Sequence, residues 1–339
     1  MRRLRRALAV LLILGLAYVH WILPDQVESS MNVVAPHEPY VISDRARALH
    51  ESLFIADLHT DSLLWKRNLT KRSDVGHVDL PRLREGNVAL QVFSATTKAP
   101  KGMNYEQNAA DSDRVTSLAV VSFWPPRTWG SLYERAAFQL EKLYDLADRD
   151  DLVVITNRKQ MRDFVARRQL GQPAVAAVYL IEGAHPLERD LDNLDRLFAQ
   201  GLRIVGLTHF FDNELGGSLH GVSRDGLSNF GRAVVRRANR LGLIIDLAHA
   251  SPKMVADVLS ISSAPVILSH GGMSSTCESP RNVPDVLIEE IAARGGLIGI
   301  GYFAGVVCDI RPQGLVNAIR AAIDLLGVEH VAQGSDYDG

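Results

Sequence analysis

Histidine and carboxylate residues come directly after short apolar runs at several points along the chain. The residues in such positions are His59, Asp61, Glu182, His209, His249, His270 and Asp336. Neutral imidazoles combined with carboxylates suit Zn²⁺ or a similar divalent metal. The two cysteines, Cys277 and Cys308, are too few for a cysteine-rich zinc site. A metal would therefore rest mainly on histidine and carboxylate.

The spacing of these residues predicts how a pair of metals would be held. His59 and Asp61 are two positions apart, and on an extended strand such side chains point to the same face, so they can hold one metal. Glu182 has two carboxylate oxygens and could bridge to a second metal, which His249 and His270 could complete. Bridged metals would lie about 3.5–4 Å apart and share a hydroxide of lowered pKa, an effective nucleophile. The pattern predicts a metallohydrolase without naming the bond that it cleaves.

Eight runs rich in Val, Ile and Leu must position these side chains. They alternate with amphipathic stretches, as in the strand and helix units of a parallel sheet. The predicted strands are Leu53–Leu58, Val88–Ser94, Ala174–Ile181, Arg203–Thr208, Leu243–Ala248, Pro265–Ser269, Leu297–Tyr302 and His330–Ser335. The histidines and carboxylates fall at the C-terminal ends of these strands, where α/β barrels carry their active sites. One histidine in such a place is more often structural, but four on four strands favour a site.

The sequence therefore predicts an α/β protein, a (β/α)8 TIM barrel with an insertion between strands 2 and 3. The insertion runs from about Thr96 to Gln172 and is expected to cover one side of the barrel mouth. Helices are predicted at Tyr133–Arg149, Leu191–Gln200, Asn229–Leu241, Pro252–Ile261, Pro284–Arg294 and Leu315–Leu326.

The N-terminus has the features of a membrane-targeting segment. Four arginines within the first six residues precede an apolar run from Ala7 to Leu23, which Pro24 ends. Arginines on the cytoplasmic side would place the rest of the chain across the membrane, in the periplasm or outside the cell. We predict a signal anchor over residues 1–23, a linker over 24–43 and a barrel over 44–339. The alternative is a signal peptide that is cleaved to release a secreted protein.

The overall composition excludes several classes of protein. The 339 residues carry 37 Lys and Arg against 39 Asp and Glu, a formal net charge of −2 that argues against a nucleic-acid partner. Hydrophobic residues make up 47% and charged residues 22%, close to the usage of ordinary globular chains, which argues against wholesale disorder and against a protein with many membrane spans.

Several segments, in order along the chain, resemble the renal (membrane) dipeptidase family, peptidase family M19, of amidohydrolase-like metallo-dependent hydrolases. They are Phe54-Ile-Ala-Asp-Leu-His-Thr-Asp61, Ile181-Glu-Gly-Ala-His185, Leu207-Thr-His209, Asp246-Leu-Ala-His249, Ser269-His270, Arg281-Asn-Val-Pro-Asp285 and Gly334-Ser-Asp-Tyr-Asp-Gly339. The resemblance implies a (β/α)8 barrel with two zinc ions, dipeptide substrates, including those with a D-amino acid or dehydro residue at the C-terminal position, and a possible homodimer.

The resemblance also implies a role for each matching residue. His59 and Asp61 match the ligands of one zinc, His249 and His270 those of the other, and Glu182 the bridge. His209 matches a histidine that approaches the substrate and stabilises the oxyanion. Arg281 matches the arginine that grips the dipeptide carboxylate, and Asp336 the acid/base aspartate. Cys277 and Cys308 lie close to the positions of a disulfide in mammalian members, which implies a bridge between them.

The sequence leaves three expectations open. The family normally continues beyond the motif that ends at Gly339, so the barrel is expected to lack the helix after strand 8. Another barrel metallohydrolase, such as a deacylase, lactonase or phosphotriesterase-like enzyme, could use the same metals on a different bond. An inactive, membrane-anchored barrel is the third reading.

Overall fold

A closed barrel of eight parallel strands forms the centre of the computed structural model, which describes residues 2–339. The described residues form nine strands, and all of them except β3 belong to the barrel. They are β1 (Ile55–Thr60), β2 (Val88–Thr96), β3 (Leu152–Val154), β4 (Val175–Glu182), β5 (Leu202–Gly206), β6 (Ile244–Asp246), β7 (Ile267–Gly271), β8 (Leu297–Ile300) and β9 (Val331–Gln333). The barrel follows the order β1, β2, β4, β5, β6, β7, β8 and β9, and closes where Asp57 of β1 pairs with Gln333 of β9. The predicted TIM barrel is confirmed, and each predicted strand overlaps one of its strands.

Fourteen α-helices lie within the described residues, and most surround the barrel. They are α1 (Arg2–Trp21), α2 (Leu23–Met31), α3 (Asp44–Ser52), α4 (Leu80–Glu85), α5 (Arg114–Val121), α6 (Arg127–Gly130), α7 (Leu132–Arg149), α8 (Arg158–Gln169), α9 (Asp192–Gln200), α10 (Asn229–Leu241), α11 (Pro252–Ile261), α12 (Asp285–Ala293), α13 (Ala304–Val307) and α14 (Pro312–Leu326). Polar side chains begin several of them. Ser228, for example, accepts a hydrogen bond from Gly231 N at the start of α10, and Gly242 ends that helix in the left-handed conformation.

Strand β4 illustrates how the apolar pattern aims the polar strand ends into the barrel. Ala176, Val178 and Leu180 pack with residues of β1, β2, β5, β7, β8 and β9 in the barrel interior. The alternate residues face the helices, and Tyr179 there donates a hydrogen bond of 2.6 Å to a main-chain carbonyl of α7. Because strand side chains alternate with a period of two, Glu182 follows the interior series. Its carboxylate therefore opens into the barrel mouth.

The insertion between β2 and β4 contains α5 to α8 and the short strand β3. This ninth strand pairs in parallel with the start of β4, outside the closed barrel. The sequence prediction missed it because its three residues make too short an apolar run to stand out.

The N-terminal segment is helical well past the predicted anchor. Residues Arg2–Met31 include a window of mean hydropathy 2.1, and this is the one stretch of the described chain long and apolar enough to cross a membrane. Helix α1 buries none of its residues. Helix α2 begins at the last residue of the predicted anchor and continues into the segment predicted as a linker. Pro24 occupies its first turn, where proline is tolerated. Helix α2 contacts the barrel domain, and so does the C-terminal end of α1, where the His20 ring stacks on Phe123 and the His20 carbonyl accepts a hydrogen bond of 3.0 Å from Lys66 Nζ.

Candidate active site

The side chains at the carboxyl ends of the strands converge on Glu182. Its Oε1 lies 3.1 Å from His249 Nε2, 3.4 Å from His270 Nε2 and 3.6 Å from His59 Nε2. Its Oε2 lies 3.4 Å from His209 Nε2. All five side chains are buried. Residues spread over more than two hundred positions of the sequence therefore meet around one carboxylate.

The two aspartates lie on the side of this cluster that belongs to β1. His59 Nε2 is 3.7 Å from Asp61 Oδ1 and 3.8 Å from Asp336 Oδ1. The Thr96 hydroxyl, at the end of β2, lies 2.9 Å from both Asp61 Oδ1 and Glu182 Oε2, and it shares its single proton between them. Thr96 was not predicted, because in the sequence it is indistinguishable from any threonine that ends a strand. Its hydroxyl fixes the relative orientation of two candidate ligands.

The donor set fits a divalent metal. Three groups of side chains have their ligand atoms within 4.8 Å of one another: His59, Asp61 and Glu182; Glu182, His209 and His249; His59, His270 and Asp336. The Nε2 atom of His59 is buried and has no hydrogen-bond partner among the residues that the structure describes. Burial lowers the pKa of both His249 and His270 well below the usual value, so both stay neutral with a lone pair for coordination.

The charge of the cluster also favours a cation. Burial lowers the pKa of His59, but the neighbouring Glu182 and Asp61 carboxylates outweigh it and raise the pKa to about 10. Burial raises the pKa of Asp336 to about 8, with Asp61 and Glu182 adding to the increase. Both shifts mean that the protein holds protons among these closely spaced carboxylates. Bound cations could neutralise the same negative charge.

Backbone strain accompanies two of the predicted site residues. His249 has a φ of 63° and Asp336 a φ of 59°, both in the left-handed region that residues other than glycine rarely adopt. Such strain persists only where the surrounding structure fixes it, and it concentrates at functional sites. Here it turns both side chains towards the cluster immediately after their strands.

Ser269 and Asp246 form a second layer behind the histidines. Ser269 Oγ donates a hydrogen bond of 2.6 Å to Asp246 Oδ2 and lies 2.9 Å from His270 Nδ1. Asp246 Oδ1 in turn accepts hydrogen bonds from Ser269 N and Ala248 N. These contacts orient the His270 ring through the nitrogen that faces away from Glu182. Both residues stand in the segments that carry the family resemblance, but the sequence alone gave them no role.

Arg281 extends from the loop after β7 into the same cavity. The side chain is 1% exposed, and its Nη2 donates a hydrogen bond of 3.1 Å to the His270 carbonyl and lies 3.3 Å from His249 Nε2. Its buried Nη1 has no hydrogen-bond partner within residues 2–339. Burial lowers the pKa of Arg281, so a bound anion would offset an unfavourable buried cation. The guanidinium is therefore placed to bind a carboxylate beside the histidine cluster.

A cavity of about 460 Å³ opens above these groups. Asp61, Glu182, His209, Arg281 and Asp336 line its polar floor, and its other walls are mainly apolar. The His209 ring reaches it from the loop after β5, with Nδ1 3.3 Å from the Lys98 carbonyl. Cavities in this size range accommodate small-molecule ligands.

A disulfide holds the loop that carries Arg281. Cys277 and Cys308 are bonded, 31 residues apart, which is the pairing that the resemblance implies. Between them, Asn282 Nδ2 donates hydrogen bonds to the carbonyls of Cys277 and Val306. The segments after β7 and β8 are thus joined at the edge of the cavity.

The chain is similar in sequence to known dipeptidases. The chain is 29% identical over 272 residues to dipeptidase verJ of Clonostachys rogersoniana, an alignment that covers 78% of this chain and 64% of the relative. It is 30% identical over 275 residues to the uncharacterized dipeptidase C965.12 of Schizosaccharomyces pombe, covering 78% and 61%. The chain therefore spans a little under two thirds of the length of these two relatives.

Solved structures have the same fold. Dipeptidase AC, a metallopeptidase of family M19, superposes with a TM-score of 0.67 at 25% identity, covering 85% of this chain and 86% of that one. A metallopeptidase from Rhodobacter sphaeroides, solved with a phosphinate mimic of L-Ala-D-Ala, gives a TM-score of 0.68 at 24% identity with the same coverage. The sequence model of membrane dipeptidase, peptidase family M19, matches residues 43–339. This match covers most of the chain, which therefore belongs to the membrane dipeptidase family, peptidase family M19.

Proposed function

We propose that the chain is a zinc-dependent dipeptidase with two metal ions. The observation that carries this proposal is Glu182, a buried carboxylate among four imidazoles, in a cavity whose floor also contains a buried arginine. Nitrogen and oxygen donors of this kind suit Zn²⁺. In addition to the bridging Glu182, the proposed ligands are His59 and Asp61 for one ion, and His249 and His270 for the other.

The chain's own residues would bind the substrate and move protons. Bound metals would polarise the scissile carbonyl and would lower the pKa of a water molecule towards neutral pH. Arg281 would hold the free carboxylate of the dipeptide through its guanidinium, which excludes substrates without that group in reach. His209 would donate to the oxyanion that develops in the transition state. Asp336 would accept a proton from the attacking water and deliver it to the leaving amine as the C–N bond breaks.

We further propose that α1 anchors the protein, with the barrel on the periplasmic or extracellular side. The arginines before the apolar helix and the disulfide between Cys277 and Cys308 support this orientation. Release after signal cleavage is the alternative. The homodimer stays a prediction.

Zinc content and hydrolysis, measured together on the purified full chain, test the function. We expect close to two zinc ions per chain and release of amino acids from a panel of L,L-, L,D- and dehydro-dipeptides. A chelator should abolish the release and added Zn²⁺ should restore it. Well under one zinc per chain, with no dipeptide cleaved, would instead favour a non-catalytic barrel.

Arg281→Ala separates a dipeptidase from other barrel metallohydrolases. Because a neutral ester has no carboxylate for the guanidinium, this substitution should raise KM for a dipeptide far more than for the ester. Equal increases in KM for the two substrates would contradict the proposed role of Arg281 and favour an enzyme that cleaves a different bond.

A further inference from the structure

Helix α2 forms part of the wall of the candidate active site, although it precedes the barrel in sequence. Leu23, Val27 and Met31 all line the cavity. They are spaced four residues apart, which places them on one face of the helix. Val27 and Met31 also pack against the apolar cluster that contains Trp65 and Val115. The segment that directly follows the membrane-targeting helix therefore contributes side chains to the substrate cavity.

Buried polar contacts hold α2 in this position. Glu28, on the face opposite the solvent, is 3% exposed and forms an ion pair with Arg67 of the loop after β1. Arg67 pairs in addition with Asp338 after β9. At the end of the helix the Asn32 carbonyl accepts a hydrogen bond of 3.1 Å from Gly76 N. A helix packed only by chance against the barrel would not need a buried carboxylate with a dedicated partner.

The strand order sets α2 across the mouth from Arg281. Arg281 follows β7, whereas α2 packs on the segments after β1 and β2, which include Trp65 and Leu118. In the closed order of eight strands, β7 is three steps from β1 and four from β2. Four steps is the far side of an eight-stranded barrel. A dipeptide whose carboxylate is held by Arg281 would thus extend its N-terminal residue towards α2.

We propose that the face of Leu23, Val27 and Met31, together with Trp65 and Leu118, is the subsite for the N-terminal side chain of the dipeptide, and that it selects a large apolar one. This inference rests on the proposed function, because Arg281 defines which end of the substrate faces the wall. The cavity of about 460 Å³ has space for such a side chain beyond the polar floor. Transfer of an apolar side chain from water to this wall would favour the substrate that carries it.

Two dipeptides with the same C-terminal residue test the subsite. The full chain should cleave L-Phe-L-Ala at least tenfold more efficiently, in kcat/KM, than Gly-L-Ala. The double variant Val27→Ala/Met31→Ala should lower this ratio by roughly tenfold, because the lost contacts matter mainly for the larger side chain. Val27→Trp, which fills the cavity, should also reduce the ratio. Ser29→Ala is the matched control, since Ser29 lies on the exposed face of the same helix and should leave both rates unchanged.

Binding of phosphinate analogues of the same two dipeptides, measured by calorimetry, provides a readout that does not depend on turnover. The preference for the analogue with the Phe side chain should fall in the double variant by a factor similar to the change in kcat/KM. An unchanged ratio in both alanine and tryptophan variants would overturn the subsite and leave the dipeptidase proposal intact. Equal losses for both substrates would give α2 a purely structural role and overturn it too. If the full chain cleaves neither dipeptide, the proposed function fails first and the subsite fails with it.

Discussion

Glu182 is the residue on which the candidate site depends most. Burial raises its pKa, since a carboxylate at the centre of the barrel mouth is costly without cations. Glu182→Gln keeps the shape but removes the charge. We therefore expect bound metal to fall to one ion per chain or fewer and hydrolysis to be lost. The metal-free Tm should stay the same or rise, because an unfavourable buried charge has gone.

Metal analysis and thermal unfolding with and without a chelator measure these effects. The wild-type chain should gain stability on metal binding, whereas Glu182→Gln should gain little. Glu214→Gln, an exposed position of the same residue type, is the control and should behave as the wild type. Full metal content and activity in Glu182→Gln would contradict a bridging role.

The Asp338 carboxyl is expected to make the stability of the fold depend on pH. Burial would raise the pKa of this carboxyl, but hydrogen bonding from His77, the Arg67 guanidinium and Ser62 outweigh it and lower the pKa to about 2 from an ordinary 3.8. A lowered carboxyl pKa stabilises the fold above the unfolded-state value, and this stabilisation is lost as the pH falls towards 2. The contribution is about 2 kcal/mol at neutral pH.

The unfolding free energy of the wild type and of Asp338→Asn, measured between pH 5 and pH 2, tests this linkage. The variant should be less stable at pH 5, and the difference should shrink as the pH falls through the range from 3.8 to about 2. A difference that stays constant over that range would mean that Asp338 acts through packing alone.

Among the elements, the disulfide-linked pair of segments after β7 and β8 has the clearest energetic role. Closing a loop of 31 residues removes freedom from the unfolded chain, so Cys277→Ser/Cys308→Ser should cost about 3–4 kcal/mol of stability. Because Asn282 ties both segments together beside Arg281, KM for a dipeptide should rise more than kcat falls. Reductant should lower the Tm of the wild type towards that of the double variant and leave the variant unaffected. A comparable loss in the variant would point to another target of the reductant.

The apolar pattern of the elements explains which strands and helices the sequence could predict. The eight barrel strands were predictable because each contains a short apolar run, and polar end residues such as Glu182 continue the alternation into the mouth. Helix α2 was not predictable in this way, because a proline after an apolar run predicts the end of a helix, whereas Pro24 occupies the first turn of a new one. Its partner contacts are also invisible to local patterns: Glu28 meets Arg67 39 positions away, and Arg67 meets Asp338 271 positions away.

At the scale of the whole molecule, the N-terminal region divides into two parts with different physical roles. Residues 2–16 of α1 are exposed, and the apolar side chains that follow the arginines suit a lipid environment. Helix α2, by contrast, buries Glu28 and faces the cavity. The connection between them means that an anchored chain would hold its substrate cavity close to the membrane surface. The two parts can be separated by deletion.

We expect the full chain to stay in the membrane pellet after an alkaline carbonate wash. A variant that lacks residues 2–16, exported behind a cleavable signal peptide, should be soluble and keep its Tm, because α1 buries no residue. A variant that lacks residues 2–31 should be soluble too, but it loses the Glu28 partner of the partly buried Arg67 and the apolar cavity wall, so its Tm should fall. Recovery of the full chain in the soluble fraction, with an N-terminus that starts beyond α1, would replace the anchor with a cleaved signal. A normal Tm in both deletion variants would instead show that α2 is not part of the folded domain.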